Sequence, residues 1–246
     1  MTLNRPEVRN AFNAELIAAL GTTFEALGRD PSVRVVVLAG AGKTFCGGAD
    51  ITWMRASLEL SEDENVRDAE AMSDMLRAID ACPKPVIVRV QGAALAGGAG
   101  LCAVADAVVA HEEAIFGFTE TKLGIIPATI SPFVIAKIGL SHARRFFLTG
   151  ERFDATRALA IGLVHEVVHG DALDGTVDAI ADEFNSTAPP AVAAAKQLIT
   201  EVCAASYDES RALTARALAK ARTSAEGQEG LRAFLERRPA AWSVAE

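Results

Sequence analysis

Cysteine is scarce. The four present, Cys46, Cys82, Cys102 and Cys203, form no CxxC pair and follow no regular spacing. That excludes a disulfide framework and a zinc knuckle, and it fits mostly buried, reduced thiols in a cytoplasmic protein. Positive charge is also short: Lys+Arg number 24 against 32 Asp+Glu, a net charge of −8. Such a balance is unsuited to gripping phosphate backbones, so no nucleic acid partner is expected. An anionic small ligand would need a local basic patch. No apolar run is long enough to cross a bilayer. The longest uncharged stretch, Val90 to Ala105, carries four glycines and is flanked by Arg89 and Asp106, so no membrane partner is expected. Nor does an apolar leader open the chain, because Met1-Thr2-Leu3-Asn4-Arg5-Pro6 turns polar at once. Disorder is excluded as well. Half of the 246 residues are hydrophobic and 23% are charged, enough to bury a full core without staples.

What is present alternates. Val33 to Leu38, Pro85 to Gln91, Asp106 to Ala110 and Val164 to Val168 are short, β-branched runs and predict buried strands. Helical spacing lies between them, at Asn13 to Leu27, Val66 to Ile79, Pro132 to Ile138, His142 to Leu148 and Thr156 to Ala160. The fold class is therefore α/β. Beyond Ala188-Pro189-Pro190 the strand patterns stop. Val192 to Ala205, Glu209 to Arg222 and Glu226 to Arg237 predict helices too apolar for water, which should pack on the core or on a neighbouring subunit. This divides the chain into a core, 1–188, and a C-terminal helical region, 189–246.

Three motifs fail on their context. His165-Glu166-Val167-Val168-His169 spells HExxH, but that zinc site requires a helix. The segment is β-branched, and residues four apart on a strand lie roughly 13 Å apart, so no metal site is expected. Gly40-Ala41-Gly42-Lys43-Thr44 lacks the earlier glycine of a phosphate loop, Val37 standing there. Gly98-Ala99-Gly100-Leu101-Cys102-Ala103 fits a dinucleotide fingerprint, but Gly92 to Gly97 separates it from the preceding strand and Asp106 follows too soon.

A different constellation carries chemistry. Two glycine-rich turns each follow a strand and open a helix: Cys46-Gly47-Gly48-Ala49-Asp50-Ile51 and Ala96-Gly97-Gly98-Ala99-Gly100-Leu101. Small residues let a ligand approach the backbone, and free N–H groups at a helix start carry partial positive charge. If the turns converge, two amides can hold one oxygen that gains charge. Glu120, in the apolar run Phe116 to Pro127, is the candidate acid or base, because desolvation raises a carboxyl's pKa. Lys122 would oppose that shift if it turned inward.

In this order and spacing the motifs are recognisable. Leu3-Asn4-Arg5-Pro6 with Asn10-Ala11-Phe12-Asn13, Phe45 to Ile51, Ala96-Gly97-Gly98, Asp106, Phe116-Gly117, Glu120 with Leu123-Gly124-Ile125-Ile126-Pro127, Thr149-Gly150 through Ala158 and Gly162-Leu163-Val164 together resemble the enoyl-CoA hydratase/isomerase (crotonase) family. Ala49 to Met54 and Ile126 to Pro132 look most like hydratases of branched, carboxylated enoyl-CoAs, of the methylglutaconyl-CoA and isohexenylglutaconyl-CoA kind.

The resemblance implies a crotonase-like spiral of ββα turns with a C-terminal helical trimerisation region, assembling as a trimer or a hexamer. It implies an acyl-CoA thioester substrate and no cofactor, coenzyme A being part of the substrate. By motif position Ala49 and Gly97 would supply the oxyanion-holding amides and Glu120 the proton transfer. Ala49, Asp50, Ile51, Thr52, Gly97 and Gly98 would line the substrate, with Arg9 near the nucleotide end. Arg237 and Arg238 suit a solvated helix end better than a phosphate contact. Trp53, Met54, the Val66–Ile79 stretch and Phe133 would wall the acyl pocket. Two departures stand out. Gly100 occupies the position of the first of the family's two hydratase glutamates, with Glu112 and Glu113 poor substitutes, and the chain starts inside the family's first strand pair. The leading expectation is hydration of a 2-enoyl-CoA. A double-bond isomerase using Glu120 alone, or a non-catalytic acyl-CoA-binding paralogue, are the alternatives.

Overall fold

The computed structural model describes residues 1–243, so the last three residues of the expected helical region lie outside the described residues. Five parallel strands form the main sheet: β1 (Thr2–Leu3), β2 (Val36–Gly40), β3 (Val86–Val90), β5 (Ala107–His111) and β8 (Glu166–Val168), side by side in that order. A second, smaller sheet joins β4 (Ala93–Leu95), β6 (Ile115–Gly117) and β7 (Arg152–Asp154), with β4 and β6 parallel and β7 antiparallel to β6. The four expected strands are all present, shifted by up to three residues. The short strands of the second sheet are additions to the expected set.

The main sheet is covered on both faces, which is why its strands are near-continuous apolar runs. Val86, Val88, Val90 and Val108 face the large core, with Leu20 and Phe24 of α1 (Ala14–Arg29) and Met75, Leu76 and Ile79 of α3 (Glu62–Asp80). Ile87 and Val109 point the other way, onto Leu173 and Val177 of α7 (Ala172–Asn185). That helix was not expected from the sequence. Ser61 explains why α3 begins before Val66. Its hydroxyl accepts from Glu64 N–H while the Glu64 carboxylate accepts from Ser61 N–H, so the acidic lead-in forms the first turn.

Four shorter or later helices complete the core: α2 (Ile51–Ala56), α4 (Gly97–Val104), α5 (Ser131–Thr149) and α6 (Ala155–Ala160). The two expected helices 132–138 and 142–148 are the halves of α5, separated by Gly139 with φ 75°. The HExxH string lies on and beside β8 instead of on a helix. His165 Nδ1 accepts from Val108 N–H at 2.9 Å, and His169 pairs with Glu112.

The tail comprises α8 (Pro189–Ala204), α9 (Tyr207–Thr223) and α10 (Ala225–Glu236). Its helices pack on one another, and Ala233 is their one buried residue. The expected packing on the core is seen at α8. Lys196 Nζ reaches Asp106 Oδ2 at 2.6 Å and Lys84 O at 3.3 Å. Tyr207, Phe234 and Leu235 are left exposed.

Candidate active site

The first glycine-rich turn is clamped by Phe12. Phe12 N–H donates to Gly48 O and Asp50 N–H donates to Phe12 O, both at 2.8 Å. These bonds bracket Ala49. Successive amides of an extended segment point in opposite directions, so Ala49 N–H faces away from Phe12, and it meets no acceptor among the described residues. Cys46 ties the same turn to β4, donating to Ala93 O at 2.9 Å and accepting from Leu95 N–H at 3.0 Å.

The second turn leaves β4 through Ala96, whose φ of 49° is strained for alanine. Its N–H donates to Gly117 O at 2.8 Å, so the strain is held in place by β6. Gly97 is then the first residue of α4, and its N–H meets no acceptor among the described residues. The two turns touch. A Cβ on Gly48, itself at φ 99°, would stand 3.3 Å from Leu95 O and 3.4 Å from the Ala96 methyl. Gly97 has no room either, since a Cβ there would come within 2.9 Å of Met72 Cε and 3.0 Å of Phe12 Cε2.

Strand pairing brings the segment that carries Glu120 out at the same end of the small sheet. Leu95 of β4 lies opposite Gly117 of β6 in parallel register. Both strands therefore release their chains at one end, one into Ala96-Gly97 and the other into Phe118-Thr119-Glu120. Glu120 opens a single 3-10 turn, Glu120–Leu123, closed by Gly124 at φ 77°. The turn is braced from behind. Thr121 Oγ1 donates to Phe147 O at 2.9 Å, and the Phe118 ring packs edge-on against Phe147 with centroids 5.2 Å apart. Glu120 Oε2 is buried without a hydrogen-bond partner among the described residues. Burial pushes this carboxyl above the ordinary glutamate range, its own backbone N–H pulling partly the other way. Lys122 is exposed and does not oppose the shift.

The remaining expected site residues divide. Asp50 is committed to structure: Oδ2 meets Arg5 Nη2 at 2.8 Å and Oδ1 accepts from Thr52 N–H at 2.8 Å, capping α2. Only its backbone is left to face a ligand. Those bonds, from Thr52 N–H first and Arg5 next, hold its carboxyl below the ordinary range. Ile51 and Thr52 are exposed on α2, and Arg9 is exposed beside the turn, its carbonyl accepting from Gly47 N–H at 2.9 Å. Gly98 is buried against Cys46. Trp53 donates to Asp68 at 3.1 Å and lines a groove of about 260 Å³ between α1 and α3. Phe133 lines a different cleft, with Arg77, Asp80 and Lys196. Arg238 is held by Glu229 and Glu236, while Glu112 and Glu113 lie on the exposed turn after β5. The sequence reasoning missed the Phe12 clamp, the strained Ala96 and the Arg5–Asp50 pair. Of these, only Asp50 carried a readable signal, since an aspartate just before a helix start caps it.

The chain is similar to known proteins over nearly its whole length. Residues 1–244 match the family described as enoyl-CoA hydratase/isomerase. The short-chain-enoyl-CoA hydratase of Clostridium acetobutylicum is 31% identical over 97% of this chain and 91% of its own. The 2,3-dehydroadipyl-CoA hydratase of Escherichia coli is 33% identical over 97% and 92%. Among solved structures, Pseudomonas aeruginosa AtuE superimposes with a TM-score of 0.95 at 38% identity, covering 99% of this chain and 95% of that one. The chain belongs to the enoyl-CoA hydratase/isomerase family and has its crotonase fold.

Proposed function

We propose that this protein adds water across the double bond of a 2-enoyl-CoA. The observation that carries the reading is the orphaned, buried Glu120 Oε2 at the strand end next to the one that releases the free Gly97 amide. In this reading the thioester oxygen sits between Ala49 N–H and Gly97 N–H. As water attacks C3, charge moves onto that oxygen as an enolate, and two preoriented donors stabilise it. Removing one such donor costs about 3–4 kcal/mol of barrier. Glu120 as carboxylate takes the water's proton and, once protonated, returns a proton to C2. The chemistry needs no cofactor beyond the coenzyme A carried by the substrate. A branched or carboxylated acyl group is the finer part of the proposal; the name of the E. coli relative, a hydratase of an unbranched dicarboxylic acyl-CoA, supports the carboxylated form. Association of copies through the exposed tail helices, as a trimer or hexamer, belongs to it as well.

The test is the Glu120→Gln variant, assayed with crotonyl-CoA and 3-methylglutaconyl-CoA and read by mass for the gain of one water. A loss of about 10²–10⁴-fold is expected, and undiminished turnover removes Glu120 from the mechanism. One observation favours a second reading. With a glycine at position 100, and with the Asp50 carboxylate taken up by Arg5 and Thr52 N–H, Glu120 is the carboxyl left without a partner at the site among the described residues, and one carboxyl suffices to move a proton from C2 to C4. A product of unchanged mass and altered retention from a 3-enoyl-CoA identifies that isomerisation.

A further inference from the structure

Gly100 lies three residues after Gly97, on the same face of α4. No side chain fits there. A Cβ on Gly100 would overlap Ile130 Cγ2 and stand 3.2 Å from Ile130 Cβ, with Leu76 Cδ2 next at 3.9 Å. The notch in α4 is filled by a knob from another segment. Ile130 is 2% exposed and leads into α5, its carbonyl accepting from Val134 N–H at 3.0 Å.

That segment is the one that begins with Glu120. Its near end is fixed by Ala96 N–H on Gly117 O and by Thr121 Oγ1 on Phe147 O. Its middle is loosely held. Leu123, Ile125 and Ile126 are exposed, and the bonds there run within the segment, such as Ile125 N–H to Glu120 O and Ala128 N–H to Ile126 O. Pro127 and Ile130 are its buried residues beyond the 3-10 turn. Ile130 is the residue that fills the notch at Gly100 of α4.

We infer that Ile130, seated in the Gly100 notch, is a positioning residue for Glu120. It sets how far the carboxyl's segment stands from the helix whose first amide is Gly97 N–H. By filling the notch it also keeps any second side chain off α4 at that level, so Glu120 works alone. The inference rests on the reading of Glu120 as the proton-transfer group. A misplacement of about 1 Å at a reacting group costs on the order of 10²-fold in rate, so the knob acts on turnover more than on thioester binding.

Crotonyl-CoA hydration by the full chain tests this. Ile130→Ala and Gly100→Ala each lower kcat roughly ten-fold or more while KM stays within roughly three-fold. Ile130→Val keeps the γ-methyl that enters the notch and retains kcat. In the double variant the methyl at position 100 occupies part of the vacated space, and kcat recovers toward the parent, so the two losses are not additive. Should either alanine variant fail to fold, Ile130→Leu, which lacks the β-branch, loses kcat where Ile130→Val does not. Parent kcat in the folded alanine variants overturns the inference. So does a rise in KM at constant kcat, strict additivity, or equal behaviour of the Val and Leu variants. Glu120→Gln in the same assay separates the two levels. Full turnover there overturns the reading of Glu120 and this inference with it. Loss there, alongside parent kcat in Ile130→Ala, overturns the inference alone.

Discussion

A carboxyl whose oxygen is buried without a partner is easier to protonate than one in water, and this has two measurable consequences for Glu120. The first concerns rate. Hydration requires the carboxylate to take a proton, so kcat/KM falls on the acid side along a limb set above the ordinary glutamate range. The second concerns stability. A carboxyl with a raised folded pKa weakens the fold as pH climbs from its unfolded pKa through its folded one. Glu120→Gln therefore unfolds at a higher temperature than the parent near neutral pH. Melting curves taken stepwise toward acid show the gap closing as Glu120 takes its proton. A gap that stays constant with pH would show that the side chain is solvated after all. At this scale the site was legible as far as residue type reveals chemistry. The glycines of the two turns and a glutamate in an apolar run are visible in the letters. Ile130 is not, because nothing in an isoleucine thirty residues downstream says which glycine it fills.

At the scale of elements, local pattern decided what could be foreseen. Helices α1 and α3 carry apolar residues at helical spacing and were expected. Strands β4, β6 and β7 have three residues each, too few for any period to show, yet the pairing of β4 with β6 releases the segments of Gly97 and Glu120 at one end of the sheet. Helix α7 was hidden because Asp171 to Gly175 looks like a turn and no side chain caps its start. The cap on α2 leads to a prediction. Asp50 bonds Thr52 N–H and Arg5 at once, and Arg5 also donates to Ala11 O at 2.6 Å. One carboxylate thus braces the turn that carries Ala49. Its pKa is depressed, so its contribution is present above the unfolded value and is lost as pH falls through the folded one. Asp50→Asn lowers the melting temperature at neutral pH, and the difference from the parent shrinks in acid. It also lowers kcat for crotonyl-CoA, because a loosened turn no longer aims the Ala49 amide. Unchanged melting and unchanged kcat together would remove Asp50 from any role in the turn.

The whole molecule joins two differently built parts. The core buries apolar residues on both faces of a sheet, while α9 and α10 bury almost nothing and α8 is the bridge. The bridge carries polar ties beside apolar ones such as Val192 next to Phe184. Arg34 Nη2 donates to Asn185 O at 2.8 Å and Thr187 O at 2.7 Å, holding the chain as it enters α8. Further along, Lys196 meets Asp106 Oδ2, an oxygen that also accepts from Val86 N–H at 2.7 Å at the foot of β3. Lys137 donates to Ala105 O at 2.7 Å beside this pair; burial pulls its pKa down and pushes that of Asp80 up. Lys196→Met keeps the apolar stem and removes the charge. Because the pair is partly shielded from water, its loss costs about 1–3 kcal/mol, less than the full cost of breaking a buried pair. The cost is local. Asp106 keeps its Val86 partner, so amides of β2, β3 and β5 exchange with solvent at parental rates, while those of α8 to α10 exchange faster. Hydrogen exchange resolved by segment reads both. Acceleration spread evenly over sheet and tail would mean that the two parts unfold as one and that Lys196 is not the tie between them.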